Sequence, residues 1–213
     1  MKIALIGASG FVGSAVLDEA LQRGHQVTAI VRHPEKLPQP PNLTALKGDA
    51  YDAAAIARAV AGHEAVVHAF NPGWGEEKIR ELFIQGTQAI FAGVKQAGLK
   101  RLLVVGGAGS LYVAPNLQLI DTPDFPAAYQ EGAEGARQAL NLIREEHSLD
   151  WTFLSPPALL EPGERSGRFR IGGDQLLMSG DHPARISVAD LAVAIIDELE
   201  QPQHIRQRFT VGY

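Results

Sequence analysis

Three glycines at three-residue spacing, Gly7-Ala8-Ser9-Gly10-Phe11-Val12-Gly13, separate an apolar run from an amphipathic stretch at the start of this chain. The run before them, Met1-Lys2-Ile3-Ala4-Leu5-Ile6, reads as a strand over about residues 2–7. After them Val12, Val16, Leu17, Ala20 and Leu21 share one helical face. A second strand, Gln26-Val27-Thr28-Ala29-Ile30-Val31, then completes a βαβ unit. Each glycine has its own reason to be there. Gly7 leaves the strand at a point where positive φ is needed, which a Cβ would oppose. Gly10 lets the main chain come close to a ligand, and Gly13 lets the helix pack tightly against the strand. The free N–H groups at the head of that helix then form a seat for phosphate. Such a turn belongs to the dinucleotide sites of parallel α/β sheets.

The rest of the chain repeats the alternation. Strands are expected at 43–46, 65–69, 102–105 and 151–154, with helices at 53–61, 76–97 and 127–146. Leu102-Leu103-Val104-Val105 is apolar throughout, as suits a strand covered on both faces. The pattern predicts a Rossmann-type, doubly wound parallel sheet of the α/β class. Beyond Pro156 the composition shifts to glycine and turn residues, with short extended pieces at 167–171 and 175–178. A last helix, 188–199, is capped by Ser187 with Asp190 three residues on, and a strand at 208–211 follows. We read residues 1–213 as one NAD(P)-binding domain, with 157–186 a substrate-side insertion that folds over the cofactor edge.

The composition removes several function classes. A net charge of −5 disfavours nucleic acid as a main partner. No apolar run approaches the ~18 residues of a membrane span, and the N-terminus reads as a strand rather than a signal peptide. With no cysteine there is no disulfide, thiol catalysis or thiolate metal site, and a cytoplasmic location is expected. The seven histidines have no metal-ligand spacing, so no metal is expected. His68, inside a strand, reads as a satisfied buried group rather than a base. No Gly-x-Ser-x-Gly elbow supports serine hydrolysis.

The second strand decides which dinucleotide is expected. An NAD site normally ends this strand in Asp or Glu, which bonds the ribose 2′-hydroxyl. Here Ile30-Val31 is followed by Arg32-His33-Pro34-Glu35-Lys36. A guanidinium at that point suits a 2′-phosphate, so NADP(H) is preferred over NAD(H), with Lys36 and His33 as weaker helpers. The alternative leaves Arg32 as a solvated loop charge. Asp49, after the third strand, either accepts from the adenine amino group or serves as a turn or helix-cap residue. Phe70 and Asn71, after the fourth strand, should run along the cofactor. Ser9, Gly10, Phe11 and Val12 should carry its pyrophosphate.

Four segments together, Gly7–Gly13, Val31–Lys36, Gly48-Asp49 and Val104-Val105-Gly106-Gly107-Ala108-Gly109-Ser110, resemble the atypical short-chain dehydrogenase/reductases. The likeness is greatest to their NAD(P)H-binding group of NmrA-like proteins and biliverdin-IXβ/flavin reductases. It implies that Gly107 borders the cofactor and that Ser110 is the active-site serine beside the nicotinamide. Its hydroxyl would donate to a substrate carbonyl or the carboxamide, or else only satisfy the loop. The superfamily's catalytic tyrosine precedes a lysine by four positions. Tyr129 is the candidate here, yet position 133 is alanine, and Tyr112 has no lysine either. A phenol with a pKa of about 10 and no lysine is a poor relay at neutral pH. Hydride transfer to an electron-poor conjugated ring needs no such relay. Trp74, Tyr112, Phe125 and Tyr129 could offer flat faces to that ring. The expected function is therefore NADPH-dependent reduction of a small planar acceptor (flavin, quinone or similar). The alternative is an NmrA-like sensor of NADP(H) without catalysis. Oligomerisation is open.

Overall fold

The computed structural model describes residues 1–213. Its first strand, β1 (Lys2–Ile6), shows how the sheet acquires two cores. Side chains alternate along a strand, so Ile3 and Leu5 enter one apolar cluster while Ala4 and Ile6 enter another on the opposite face. β5 (Arg101–Val105) divides in the same way, Leu103 and Val105 against Leu102 and Val104. Apolar residues at every position are thus required, and the unbroken runs in the sequence have their cause.

The other long elements are α1 (Phe11–Gln22), β2 (Gln26–Val31), β3 (Leu43–Lys47), α2 (Ala53–Val60), β4 (Ala65–His68) and α3 (Ile79–Gln96). After β5 come two short strands, β6 (Tyr112–Ala114) and β7 (Leu117–Gln118), and then α4 (Gln130–Arg144) and β8 (Asp150–Ser155). Five short strands follow: β9 (Leu159–Glu161), β10 (Arg170–Gly172), β11 (Met178–Ser179), β12 (His182–Pro183) and β13 (Arg185–Ser187). The chain closes with α5 (Val188–Glu200) and β14 (Gln207–Gly212). The main sheet runs β10-β14-β8-β5-β4-β1-β2-β3. All its neighbours are parallel except the edge pair β10/β14. Helices α1 and α5 cover one face, and α2, α3 and α4 supply the other core. This is the doubly wound Rossmann-type arrangement. The strand order reverses between β1 and β4, the switch point beside which such sheets bind ligands.

Differences from the sequence reading lie at element ends and after Pro156. Helix α3 starts at Ile79 rather than 76, because Gly73–Lys78 is spent in turns. Residues 127–129 form a single 3-10 turn behind Pro126 before α4 begins. Of the piece expected extended at 167–171, only the end joins a strand, and it adds β10 to the sheet edge. Gln175 makes a lone bridge to Tyr112, and only Met178 of the second piece pairs regularly.

Helix α4 sits very close to the turn after β5. A Cβ on Gly109 would come within 3.0 Å of the Ala133 Cβ, and one on Gly107 within 3.3 Å of the Ala136 Cβ. Small residues on both sides bring the helix nearly to backbone contact with that turn.

Candidate functional site

A cleft of about 1280 Å³ opens at the carboxyl ends of β1, β2, β4, β5 and β8. The glycine turn forms its floor. Gly7 has φ +88°, and a Cβ there would lie 2.6 Å from the Ala69 carbonyl oxygen. At Gly13 a Cβ would overlap the Gly7 carbonyl oxygen, so α1 can pack on the turn only without one. Gly10 is different. It is the N-cap of α1 with φ −80°, and its Cβ would meet nothing nearer than the Gly7 oxygen at 3.4 Å. Its missing side chain leaves room on the cleft side, a cradle that a Cβ would fill. No side chain caps α1, so its first N–H groups are left for a ligand. Shape and donors both fit a dinucleotide pyrophosphate.

Ser9, Gly10, Phe11 and Val12 line this floor, and Gly13 lies behind it. Arg32 lines the cleft where β2 ends, exposed and without any hydrogen-bond or ion-pair partner. Lys36 does not reach the cleft: the 3-10 turn Pro34–Lys36 carries it past the strand end into solvent. His33 is engaged with Glu35 at 3.1 Å and also lies outside. Asp49 lines the cleft, but one carboxylate oxygen accepts from the Tyr51 N–H at 2.9 Å, a turn-forming bond. The cap of α2 is Asp52, which accepts from the Ala55 N–H at 2.9 Å.

Tyr51, which no motif in the sequence singles out, belongs to this wall. Its ring meets Phe70 edge to face, with centroids 5.5 Å apart. Burial, then the neighbouring Asp49, raises its phenol pKa above the ordinary range. An aromatic two residues beyond the Gly48-Asp49 pair was the available signal. Phe70 in turn lies across Gly86 of α3, where no Cβ could fit. Asn71 lines the cleft, with its side-chain oxygen accepting from the Gly73 N–H at 2.8 Å. Behind this wall His68 is fully buried and pairs with Thr87 at 3.0 Å. Burial lowers its pKa to about 4, so it stays neutral and structural.

The far end of the cleft differs from the serine–tyrosine arrangement expected there. Gly107 lines it, but Ser110 is only 2% exposed and is absent from the lining. The 3-10 turn Ala108–Ser110 rotates its side chain inward, where its hydroxyl accepts from the buried Arg208 guanidinium at 3.2 Å. Arg208 also donates to Ser155 at 3.2 Å and, through Nε, to Asp174 at 2.7 Å. Tyr112 likewise stays out of the cleft, held in backbone bonds to Asp174 and Leu176. Tyr129 does line it and is 51% exposed, with Ala133 one turn on where a lysine would stand. Its ring meets that of Trp74 at 5.1 Å and 82°. Trp74 is 58% exposed yet seated, its indole edge filling the place of a Cβ on Gly132. Phe125, Pro156, Pro157 and Leu159 complete an apolar mouth. Pro156 and Pro157 follow β8 directly, so chain position was their signal. No three His, Cys, Asp or Glu side chains are grouped to hold a metal, and no helix is long and apolar enough to cross a membrane.

Known proteins share this architecture. A family model described as NAD(P)H-binding matches residues 7–199. The uncharacterised protein YwnB of Bacillus subtilis is 42% identical over 99% of this chain and 98% of its own length. A solved structure from Bacteroides thetaiotaomicron, named as a candidate epimerase, has TM-score 0.94 at 45% identity, covering 100% of this chain and 96% of its own. One from Streptococcus pneumoniae, named as a candidate NADH-flavin reductase, has TM-score 0.86 at 33% identity, covering 100% and 99%.

Proposed function

This chain belongs to the NAD(P)H-binding family, within the atypical short-chain dehydrogenase/reductases, and we propose from that premise that it is an NADPH-dependent reductase of a small planar acceptor. The observation that carries the reading is the mouth of the cleft, where the Trp74–Tyr129 pair offers flat apolar surface and Ala133 stands in the relay lysine's place. A bound reduced nicotinamide would supply a hydride, one proton with two electrons, and a conjugated ring taking it up with a proton from water would reach its dihydro form. Every remaining task falls to binding and orientation by this chain.

In this reading the turn Ser9–Val12 holds the pyrophosphate through the free N–H groups at the head of α1, and Arg32 takes the 2′-phosphate. Tyr51, Phe70 and Asp49 enclose the adenine end, while Asn71 and Gly107 border the middle and the nicotinamide. Ser110 is a positioning residue that braces the Gly107–Gly109 turn through Arg208. Residues 1–213 act as one domain, and the 157–186 segment closes the acceptor side through Leu159, Glu161 and Pro183. The similarity to a structure named as a candidate NADH-flavin reductase agrees with this assignment. The similarity to one named as a candidate epimerase does not favour epimerisation here, because the Tyr–Lys pair for proton transfer is incomplete.

The test is NADPH oxidation against flavin, quinone and dye acceptors. We expect turnover that Tyr129→Phe preserves, since the phenol moves no proton, and a raised KM in Trp74→Ala. Tight NADPH binding without turnover of any acceptor would reject the reductase and favour the sensor, which Ala133 also fits.

A further inference from the structure

The charges lining the cleft are unevenly divided. Arg32 is the one cation among the lining residues, against the carboxylates Asp49, Glu76, Asp124 and Glu161. Asp49 belongs to the adenine wall, and Glu76 is near enough to Tyr51 to influence its phenol. The acceptor end therefore holds Asp124 and Glu161 with no lining cation. Arg32 stands at the end of β2, four strand spacings from β8, or roughly 19 Å. That is about twice the screening length at physiological salt, so Arg32 cannot neutralise a charge there.

Three cations on bordering elements are already engaged, and Lys78 at the head of α3 is exposed, unpaired and outside the lining. Arg185 faces Glu161 at 3.6 Å, Arg137 is held by Asp121 and Glu134, and Arg80 pairs with Glu131 at 2.9 Å. Asp124 has no such partner and is exposed. The N-terminus of α4 also opens toward this end, where its partial positive charge would favour an anion. Glu131 in its first turn, shared with Arg80, offsets part of that charge.

Taking the reductase reading as its basis, we infer that the acceptor end admits neutral or cationic planar molecules and rejects those carrying phosphate or carboxylate groups. The aromatic lip supplies the affinity and is indifferent to the ring's identity. Asp124 supplies the discrimination, since Glu161 is shared with Arg185; the like-charge repulsion from Asp124 acts from an exposed site and is therefore salt-dependent. Flat acceptors with free anionic arms are disfavoured even where their ring would stack.

Riboflavin and flavin mononucleotide form a suitable pair of probes, because they share one ring and differ by a phosphate. Binding to the NADP⁺-saturated protein is read from quenching of flavin fluorescence, a measurement that needs no turnover. We expect riboflavin to bind at least about tenfold more tightly, a ratio that falls as salt is raised. Asp124→Lys should bring the ratio toward unity by tightening the phosphorylated flavin more than riboflavin. Equal or tighter binding of the phosphorylated flavin by the unmodified protein overturns the inference, and so does binding of neither flavin. Failure of NADPH oxidation alone rejects the reductase reading, while the binding ratio still decides the charge rule.

Discussion

At Gly10 and Gly13 one substitution, glycine to alanine, probes two different requirements. A Cβ at Gly13 overlaps the Gly7 carbonyl, whereas one at Gly10 has only the Gly7 oxygen at 3.4 Å and otherwise open cleft. Gly13→Ala should destabilise the protein by about 3 kcal/mol, the upper range for a forced overlap. Gly10→Ala should cost no more than about 1 kcal/mol, the scale of an N-cap change, yet weaken NADPH binding at least tenfold. Urea unfolding and a binding titration on both variants check this, and equal stability losses would refute the division of labour. These glycines could be read from the sequence because their spacing and context encode the turn. Ser110 and Lys36 could not be placed in the same way. One 3-10 turn decides whether a residue beyond a strand faces cleft, core or solvent, and neither composition nor period records that rotation.

Among the elements, the parallel strands were legible because burial on both faces leaves an apolar run in the sequence. The 157–186 segment was not, since its strands are two or three residues long and its order comes from side-chain ties that no periodicity reveals. Arg165 makes a two-pronged pair to Glu19 of α1, at 2.7 and 2.9 Å. Asp190, in the first turn of α5, accepts from the Ser166 N–H and hydroxyl, the Gly167 N–H and the Tyr213 hydroxyl. Burial opposes its charge, but those bonds prevail and hold its pKa below the ordinary value. The sign then follows from linkage. The carboxylate's contribution is complete above the unfolded pKa of about 4 and disappears as pH falls through the lower folded value. Asp190→Asn should therefore cost about 3 kcal/mol at neutral pH, as expected for a buried charge network broken on one side. The gap to the unmodified protein should narrow below pH of about 4. Unfolding curves at several pH values measure it, and a pH-independent gap would refute the ionised role.

For the whole molecule, a net charge of −5 means that the protein repels an anionic cofactor at long range, so recognition must be local. Two local features are available, the uncapped head of α1 and the unpaired Arg32 at the end of β2. The first is shared by any dinucleotide; only the second distinguishes a 2′-phosphate from a hydroxyl. Binding to the folded state alone raises stability by about 2.7 kcal/mol at a hundred times Kd. For a domain of this size that is a rise in Tm of roughly 5–10 °C. NADPH should produce such a shift at concentrations where NADH produces a clearly smaller one. In Arg32→Ala the NADPH shift should fall to that of NADH, whose own shift stays the same, because the pyrophosphate seat is untouched. Raising the salt should shrink the difference between the cofactors in the unmodified protein, since Arg32 is exposed and its attraction is screened. If Arg32→Ala keeps the full NADPH excess, the phosphate is held elsewhere.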